Sequence, residues 1–186
     1  MKSFLDKIFL RSNNLDYISK NIQDLSQKTP VKKIFDAISN YSSESEVRYV
    51  GGCIRKIIDK KKVDDIDLAT NLEPKEVCSA LKDRDINFYE TGYEHGTVTA
   101  LIDDYKFEIT SLRKDILTDG RHAQVKFSKD WKEDAFRRDF TINALYYCPI
   151  TRKIQDPNNG IKHINEKLIF SIGDPQQRFA EDPVRS

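Results

Sequence analysis

The sequence is poor in the features that would place it in several common classes. It has only three cysteines, Cys53, Cys78 and Cys148, far apart and with no CxxC pair. Its three histidines, His95, His122 and His163, are scattered. A disulfide scaffold or a zinc site of usual spacing is therefore not expected, and the cysteine usage reads as that of a reduced, cytoplasmic protein. No apolar run approaches the roughly 18–20 residues that span a bilayer, so a membrane protein is excluded. The opening MKSFLDKIFLRSNN predicts no secretory signal, because Asp6 and Lys7 interrupt its apolar stretch. Charge of one sign is also lacking. The net charge is +1, and the total says nothing about nucleic acid. Repeats and low-complexity tracts are absent.

What is present suits a globular chain. At 186 residues the protein can bury one real core, and ten Phe and eight Tyr argue against global disorder despite 33% charged residues. A local basic run, Arg55, Lys56, Lys60, Lys61 and Lys62, reads equally as a solvated turn.

Apolar spacing predicts helices across residues 1–45, with Leu15, Ile18, Ile22 and Leu25 on one stripe and Val31, Ile34, Phe35 and Ile38 on another. Strands are expected at 47–51, 65–70, 86–90, 96–102 and 105–110, and helices at 53–60 and 72–83. Residues 113–130 read as a long charged loop, 132–147 as a further helix, 156–160 as a turn and 168–172 as a last strand or extended stretch. The sum is an α+β fold: a small mixed, partly antiparallel sheet flanked by helices, after an N-terminal helical segment.

Asp65-Ile66-Asp67 holds the chemistry. Alternate residues of a strand share a face, so both carboxylates are expected to project together while Ile66 and Leu68 enter the core. Two such charges some 4 Å apart repel by about 4 kcal/mol at an effective dielectric of 20, and a divalent cation offsets that directly. A DxD alone is weak, since an exposed acidic strand edge looks the same. Gly51-Gly52, between a strand and a helix, strengthens it. Glycine lets backbone amides approach a phosphate, and Arg55 follows in the first turn. Glu108 reads two ways, as a third carboxylate near the metal or as a structural partner for an arginine such as Arg113. On the expected helix 132–147, Asp139 and Asn143 share a face, where they can bond a ribose, while Arg137 and Arg138 can pair with triphosphate oxygens.

GGCIR (51–55), DDIDLAT (64–70), HGTVTA (95–100), FEITSLR (107–113), TDGRHAQV (118–125), EDAFRRDFTINALYY (133–147) and RFAEDPVR (178–185) occur in an order and spacing that resemble the class II nucleotidyltransferases. These are the CCA-adding tRNA nucleotidyltransferases and the bacterial poly(A) polymerases. The resemblance covers about residues 47–185. It implies a polymerase-β-like head at 46–150, the start of a neck at 151–186, and an N-terminal extension at 1–45. By it, Asp65 and Asp67 match the carboxylates that bind Mg²⁺. Gly52 and Arg55 match the residues that hold the incoming nucleotide's phosphates, and Arg138 and Asp139 match further nucleotide contacts, beside which Gly51 and Asn143 are also expected to bind nucleotide. Arg121 lies in a segment that helps orient the site, and Asp182 and Arg185 match the pair that reads the base edge.

The implied activity is template-independent addition of CCA to tRNA 3′ ends from CTP and ATP by two-metal transfer. The alternatives are poly(A) addition to RNA 3′ ends, or an inactive or split-enzyme fragment that only binds nucleotide or a partner chain. HGTVTA, EITSLR and TDGRHA favour the CCA-adding branch. Three departures stand out. Lys56 replaces a usual Asp after the GGxxR arginine, and Asn159 replaces a usual Gly. The sequence also ends at Ser186, where Asp182-Pro183 reads as a helix start, so the family's downstream helices are expected from a longer chain or a second polypeptide.

Overall fold

The computed structural model describes residues 4–90, 92–116 and 124–173, and side chains from Leu15 onward within those limits, excepting 115, 116 and 124. Two helices lead: α1 (Phe4–Lys28) and α2 (Val31–Ser39). Then follow β1 (Val47–Val50), α3 (Gly52–Ile58), β2 (Ile66–Thr70), α4 (Pro74–Lys82) and β3 (Asn87–Tyr89). Next come β4 (Thr97–Ile102), β5 (Tyr105–Ser111), β6 (Arg113–Ile116), β7 (Gln124–Phe127) and α5 (Trp131–Phe136). Last are β8 (Tyr146–Cys148), β9 (Lys153–Gln155) and α6 (Gly160–Asn165).

Seven strands form one sheet in the order β3-β4-β5-β2-β1-β8-β9. Every neighbouring pair is antiparallel except β2 and β5. The α+β expectation therefore holds, on a sheet wider than foreseen. Period-two alternation sorts the side chains. Val47, Tyr49, Ile66, Leu68, Phe107, Ile109 and Tyr147 join the larger core with Ile18 and Ile22 of α1, Ile34 and Ile38 of α2, and Val77 and Leu81 of α4. Two hydroxyl contacts seat α1: Tyr147 donates to Ser19 Oγ at 2.9 Å, and Tyr49 Oη lies 2.7 Å from Ser26 Oγ. The opposite face carries a smaller core of Val50, Ala69, Trp131, Ala135, Ala144 and Tyr146.

Local chemistry fixes several boundaries. Glu73 and Glu76 form a reciprocal capping box at α4, with Pro74 in its first turn. Asp130 caps α5, accepting from the Lys132 amide at 2.7 Å.

Two expectations fail here. Residues 113–130 are not a loop throughout, because β6 and β7 pair as a separate two-stranded ribbon. The helix expected over 132–147 ends at Phe136. Asp139 Oδ1 captures the next amide, Phe140 N, at 2.6 Å, and such side-chain bonds compete with helix. The chain then makes a short 3₁₀ turn, Thr141–Asn143, and Tyr146-Tyr147 enter the sheet. Of the two forms expected for residues 168–172, the extended stretch fits, tied down by a bridge between Ser171 and Phe140 rather than by a strand ladder. Leu168, Ile169 and Phe170 are exposed there, Ile169 by 71%. The turn expected at 156–160 is present and leads directly into α6, which starts at Gly160. Asn159 adopts φ +58°, the conformation that lets Asn replace Gly. The three cysteines are free thiols, and among the described residues no helix is long and apolar enough to cross a membrane.

Candidate active site

The parallel β2–β5 pair sets the site. In its register Asp67 stands beside Glu108, on the face opposite the larger core. Asp67 is half-buried and Glu108 exposed. Burial holds the Asp67 carboxyl above the usual aspartate range, and the charges of Glu108 and Asp65 add to this. Arg138 and Lys56 pull the other way without cancelling it.

Asp65 differs from expectation in detail. It precedes β2, and its side chain is 82% exposed, with Oδ2 3.6 Å from Lys56 Nζ. It does not line the cleft that Asp67 and Glu108 share, although its charge is felt at Asp67.

The turn between β1 and α3 brings backbone to that cleft. Gly51 has φ +64°, a conformation that favours glycine, and a Cβ there would lie 3.2 Å from the Asn143 carbonyl oxygen. Its amide donates to the Leu145 carbonyl at 3.0 Å. At Gly52 a Cβ would come within 3.8 Å of Asp67 Oδ2. Beneath the turn, burial pushes the Cys53 thiol up to about 12, so it is not a reactive group at neutral pH.

Arg55, Asn143 and Asp139 form a relay. Arg55 Nη1 donates to Asn143 Oδ1, and Asn143 Nδ2 donates to Asp139 Oδ1 at 3.2 Å. The pairing of Asp139 with Asn143 thus survives although no helix carries it. α6 buttresses the turn that bears Asn143. Asp156 accepts the Gly160 amide at 2.7 Å, and His163 Nδ1 lies 2.8 Å from Thr141 Oγ1. A Cβ at Gly160 would sit 2.3 Å from the Thr141 carbonyl oxygen, so only glycine lets the two backbones meet.

One group central to this region escaped the sequence reading. Asp134 is 1% exposed. Its Oδ2 accepts from Tyr146 Oη at 2.6 Å and from Arg138 Nη2 at 3.0 Å, and its Oδ1 accepts from Arg137 Nε at 2.8 Å. Burial alone would raise its pKa, but the Arg138 and Arg137 charges and the Tyr146 hydroxyl outweigh it and hold Asp134 below the usual range. Arg138 Nε also donates to Tyr146 Oη at 2.9 Å. The two arginines assigned to triphosphate oxygens are therefore also anchors of a buried knot. The available signal was their spacing, three and four residues after Asp134.

The structure thus gathers Gly51, Gly52, Arg55, Asp67, Glu108, Arg138, Asp139 and Asn143 around one cleft of about 560 Å³. Arg137, expected at the triphosphate, and Arg113 line it as well, together with His95, Thr97 and Thr110, which were not singled out. Thr110 was legible, two residues beyond Glu108 on the same strand face. Arg113 donates through Nη1 to the His95 carbonyl. Arg121, Asp182 and Arg185 lie outside the described residues.

The donor set suits a hard divalent cation. The charges of Glu108 and Asp65 add to the cost of ionising Asp67, and the Lys56 ammonium already stands against Asp65 as a stand-in cation. Among the described residues no three acidic, His or Cys groups close into a ready cage. An open site of one or two carboxylates, completed by substrate phosphates, is the usual magnesium pattern.

Residues 47–170 match the family described as the poly(A) polymerase head domain. The human mitochondrial CCA tRNA nucleotidyltransferase 1 is 38% identical over 141 residues, 75% of this chain and 32% of that protein. A CCA-adding enzyme of Enterococcus faecalis is 37% identical over 142 residues, 75% of this chain and 34% of its own length. Among solved structures, the Bacillus stearothermophilus CCA-adding enzyme in complex with CTP superposes with a TM-score of 0.70 at 27% identity, covering 84% of this chain and 37% of that one. The chain spans about a third of the length of these relatives.

Proposed function

The chain belongs to the family of the poly(A) polymerase head domain, and from that membership we propose that it is the catalytic head of a nucleotidyltransferase that adds CCA to tRNA 3′ ends from CTP and ATP. One observation carries the reading: Asp67 and Glu108, in register on adjacent strands, share a cleft with the Gly51-Gly52 turn and the arginines.

In this reading Asp65 and Asp67 hold Mg²⁺. When bound, the metal promotes ionisation of the RNA 3′-hydroxyl and neutralises charge on the triphosphate. The Gly51-Gly52 backbone and the guanidinium groups of Arg55 and Arg138 receive the triphosphate. The Asn143–Asp139 relay holds Arg55 in place and offers acceptors to the ribose. Glu108 is a third carboxylate beside Asp67. The 3′-oxygen forms a bond to the α-phosphorus, the bond from that phosphorus to the bridging oxygen breaks, and pyrophosphate leaves. The groups act by position and charge, so no covalent enzyme intermediate is required. The relatives' names support CCA addition and the family description keeps poly(A) addition as the second reading. Arg121 for orientation, and Asp182 with Arg185 for base reading, complete the proposal, with a second polypeptide as a candidate source of the region by which the relatives are longer. A cytoplasmic location is in keeping with the free thiols.

The test supplies CTP and ATP, separately and together, with tRNA lacking its terminal CCA and with an unrelated RNA. Ordered incorporation of both nucleotides into the tRNA supports the proposal. ATP addition alone, on either RNA, gives the second reading. Asp67→Ala should cut incorporation by on the order of a thousandfold, as the loss of several kcal/mol of charge stabilisation implies. Unchanged incorporation in a folded Asp67→Ala chain defeats both readings.

A further inference from the structure

Lys56 follows Arg55 in α3 and turns toward the acidic side of the site. Its Nζ lies 3.3 Å from Asp64 Oδ2 and 3.6 Å from Asp65 Oδ2. The lysine side chain is 27% exposed, against 58% and 82% for the two acids, so its stem is packed and the acids come to it from solvent. Its charge also reaches Asp67, which it pulls down. Lys62 gives a contrast: its Nζ is 3.9 Å from Asp64 Oδ1, its side chain is 91% exposed, and its only ion pair among the described residues is with Asp64.

We infer that the Lys56 ammonium is the resident counter-ion of Asp65 and competes with the divalent cation for it, so that Lys56 sets the affinity of the metal site. The inference rests on the reading of Asp65 and Asp67 as metal ligands. Asp65 is wanted by two cations of different charge density. A divalent ion that takes it must displace the ammonium or share the carboxylate with it, at a Coulombic cost either way. Asp64 gives the displaced ammonium a place to remain paired. The exchange is therefore inexpensive, but it is not free. An exposed pair of this kind is worth little, so the expected change in affinity is about two- to fivefold.

The experiment titrates Mn²⁺ into the 186-residue chain and follows free Mn²⁺ by electron paramagnetic resonance, with a thermal melt of each variant to confirm folding. Lys56→Met and Lys56→Gln should both tighten Mn²⁺ binding about two- to fivefold, whereas Lys62→Met, which removes the same charge, should change it by clearly less. Asp65→Asn should weaken binding and erase the difference that Lys56→Met makes. If wild type binds Mn²⁺ and the Lys56 variants bind it equally or more weakly, the inference fails and the metal reading stands. Equal tightening by Lys62→Met also overturns it, since net charge alone would then explain the effect. Unchanged Mn²⁺ affinity with weakened CTP binding would make Lys56 a phosphate ligand instead. Folded chains that bind no Mn²⁺ at all would remove both the inference and the metal reading.

Discussion

Asp67 and Asp134 are both drawn back from water on the polar side of the sheet, and their surroundings treat the charge in opposite ways. Around Asp134 two guanidinium groups and a phenol converge, and its acidity rises. Around Asp67 the nearest influences after burial are two further carboxylates, and its acidity falls. Arg138 belongs to both environments. It bonds Asp134 directly while its other nitrogen, Nη1, lies 4.0 Å from where a Cβ of Gly51 would be, at the cleft. One aspartate holds the fold; the other is kept short of positive charge. A site left in that condition is set up to receive a cation, and it costs stability until one arrives.

The contrast can be broken most severely at Asp134. Asp134→Ala leaves Arg137 and Arg138 withdrawn from water without their partner, which should cost about 3–5 kcal/mol in urea unfolding. A loss below 1 kcal/mol would show that the knot is not structural. Tyr146→Phe is the gentler probe. It removes a 2.6 Å bond to a charged acceptor, and about 1.5–3 kcal/mol should go with it, while Asp134 still meets both arginines.

Asp67→Asn should move the other way. With a raised folded-state pKa, ionised Asp67 destabilises the native chain once the pH exceeds the unfolded aspartate value, and fully so above the folded one. The amide should therefore raise the melting midpoint at neutral pH by roughly 2–4 °C, what about 1 kcal/mol is worth in a domain of this size. The gain should vanish in acid, where both states are protonated. Asp134 obeys the opposite sign. Its contribution is full above the unfolded aspartate pKa and is lost as pH falls through the depressed folded value. Melts from pH 7 downward should show the Asp67→Asn advantage shrinking before the wild-type knot gives way. An advantage that persists unchanged in acid would mean charge is not its cause.

The sequence made one of these two acids visible and hid the other. Asp67 lies in a strand whose apolar alternation, Ile66 and Leu68 inward, forces it to the opposite face. Asp134 sits in a short charged string that looks solvent-exposed, and its burial comes from Tyr146, brought over by a strand that apolar spacing did not find. The same limit explains the missed ribbon of β6 and β7. Arg113–Ile116 and Gln124–Phe127 carry too few apolar residues to show a period, and backbone pairing alone makes them strands. β4 and β5 were legible because their alternation is strict, with Asp103 taking φ +54° at the turn where glycine was lacking. α6 was hidden for another reason. It is only six residues long, and it is held by the Asp156 cap and the contact of Gly160 with Thr141, neither of which is a periodic signal.

The bare stretch Leu168-Ile169-Phe170 bears on how the protein behaves in the test tube. With a net charge of +1 and an isoelectric point near 7.7, molecules at neutral pH barely repel one another, so exposed apolar side chains such as these three weigh on colloidal behaviour. Sulfate or phosphate buffers should drive self-association through this stretch, and a buffer a unit or two away from the isoelectric point should keep the chain dispersed.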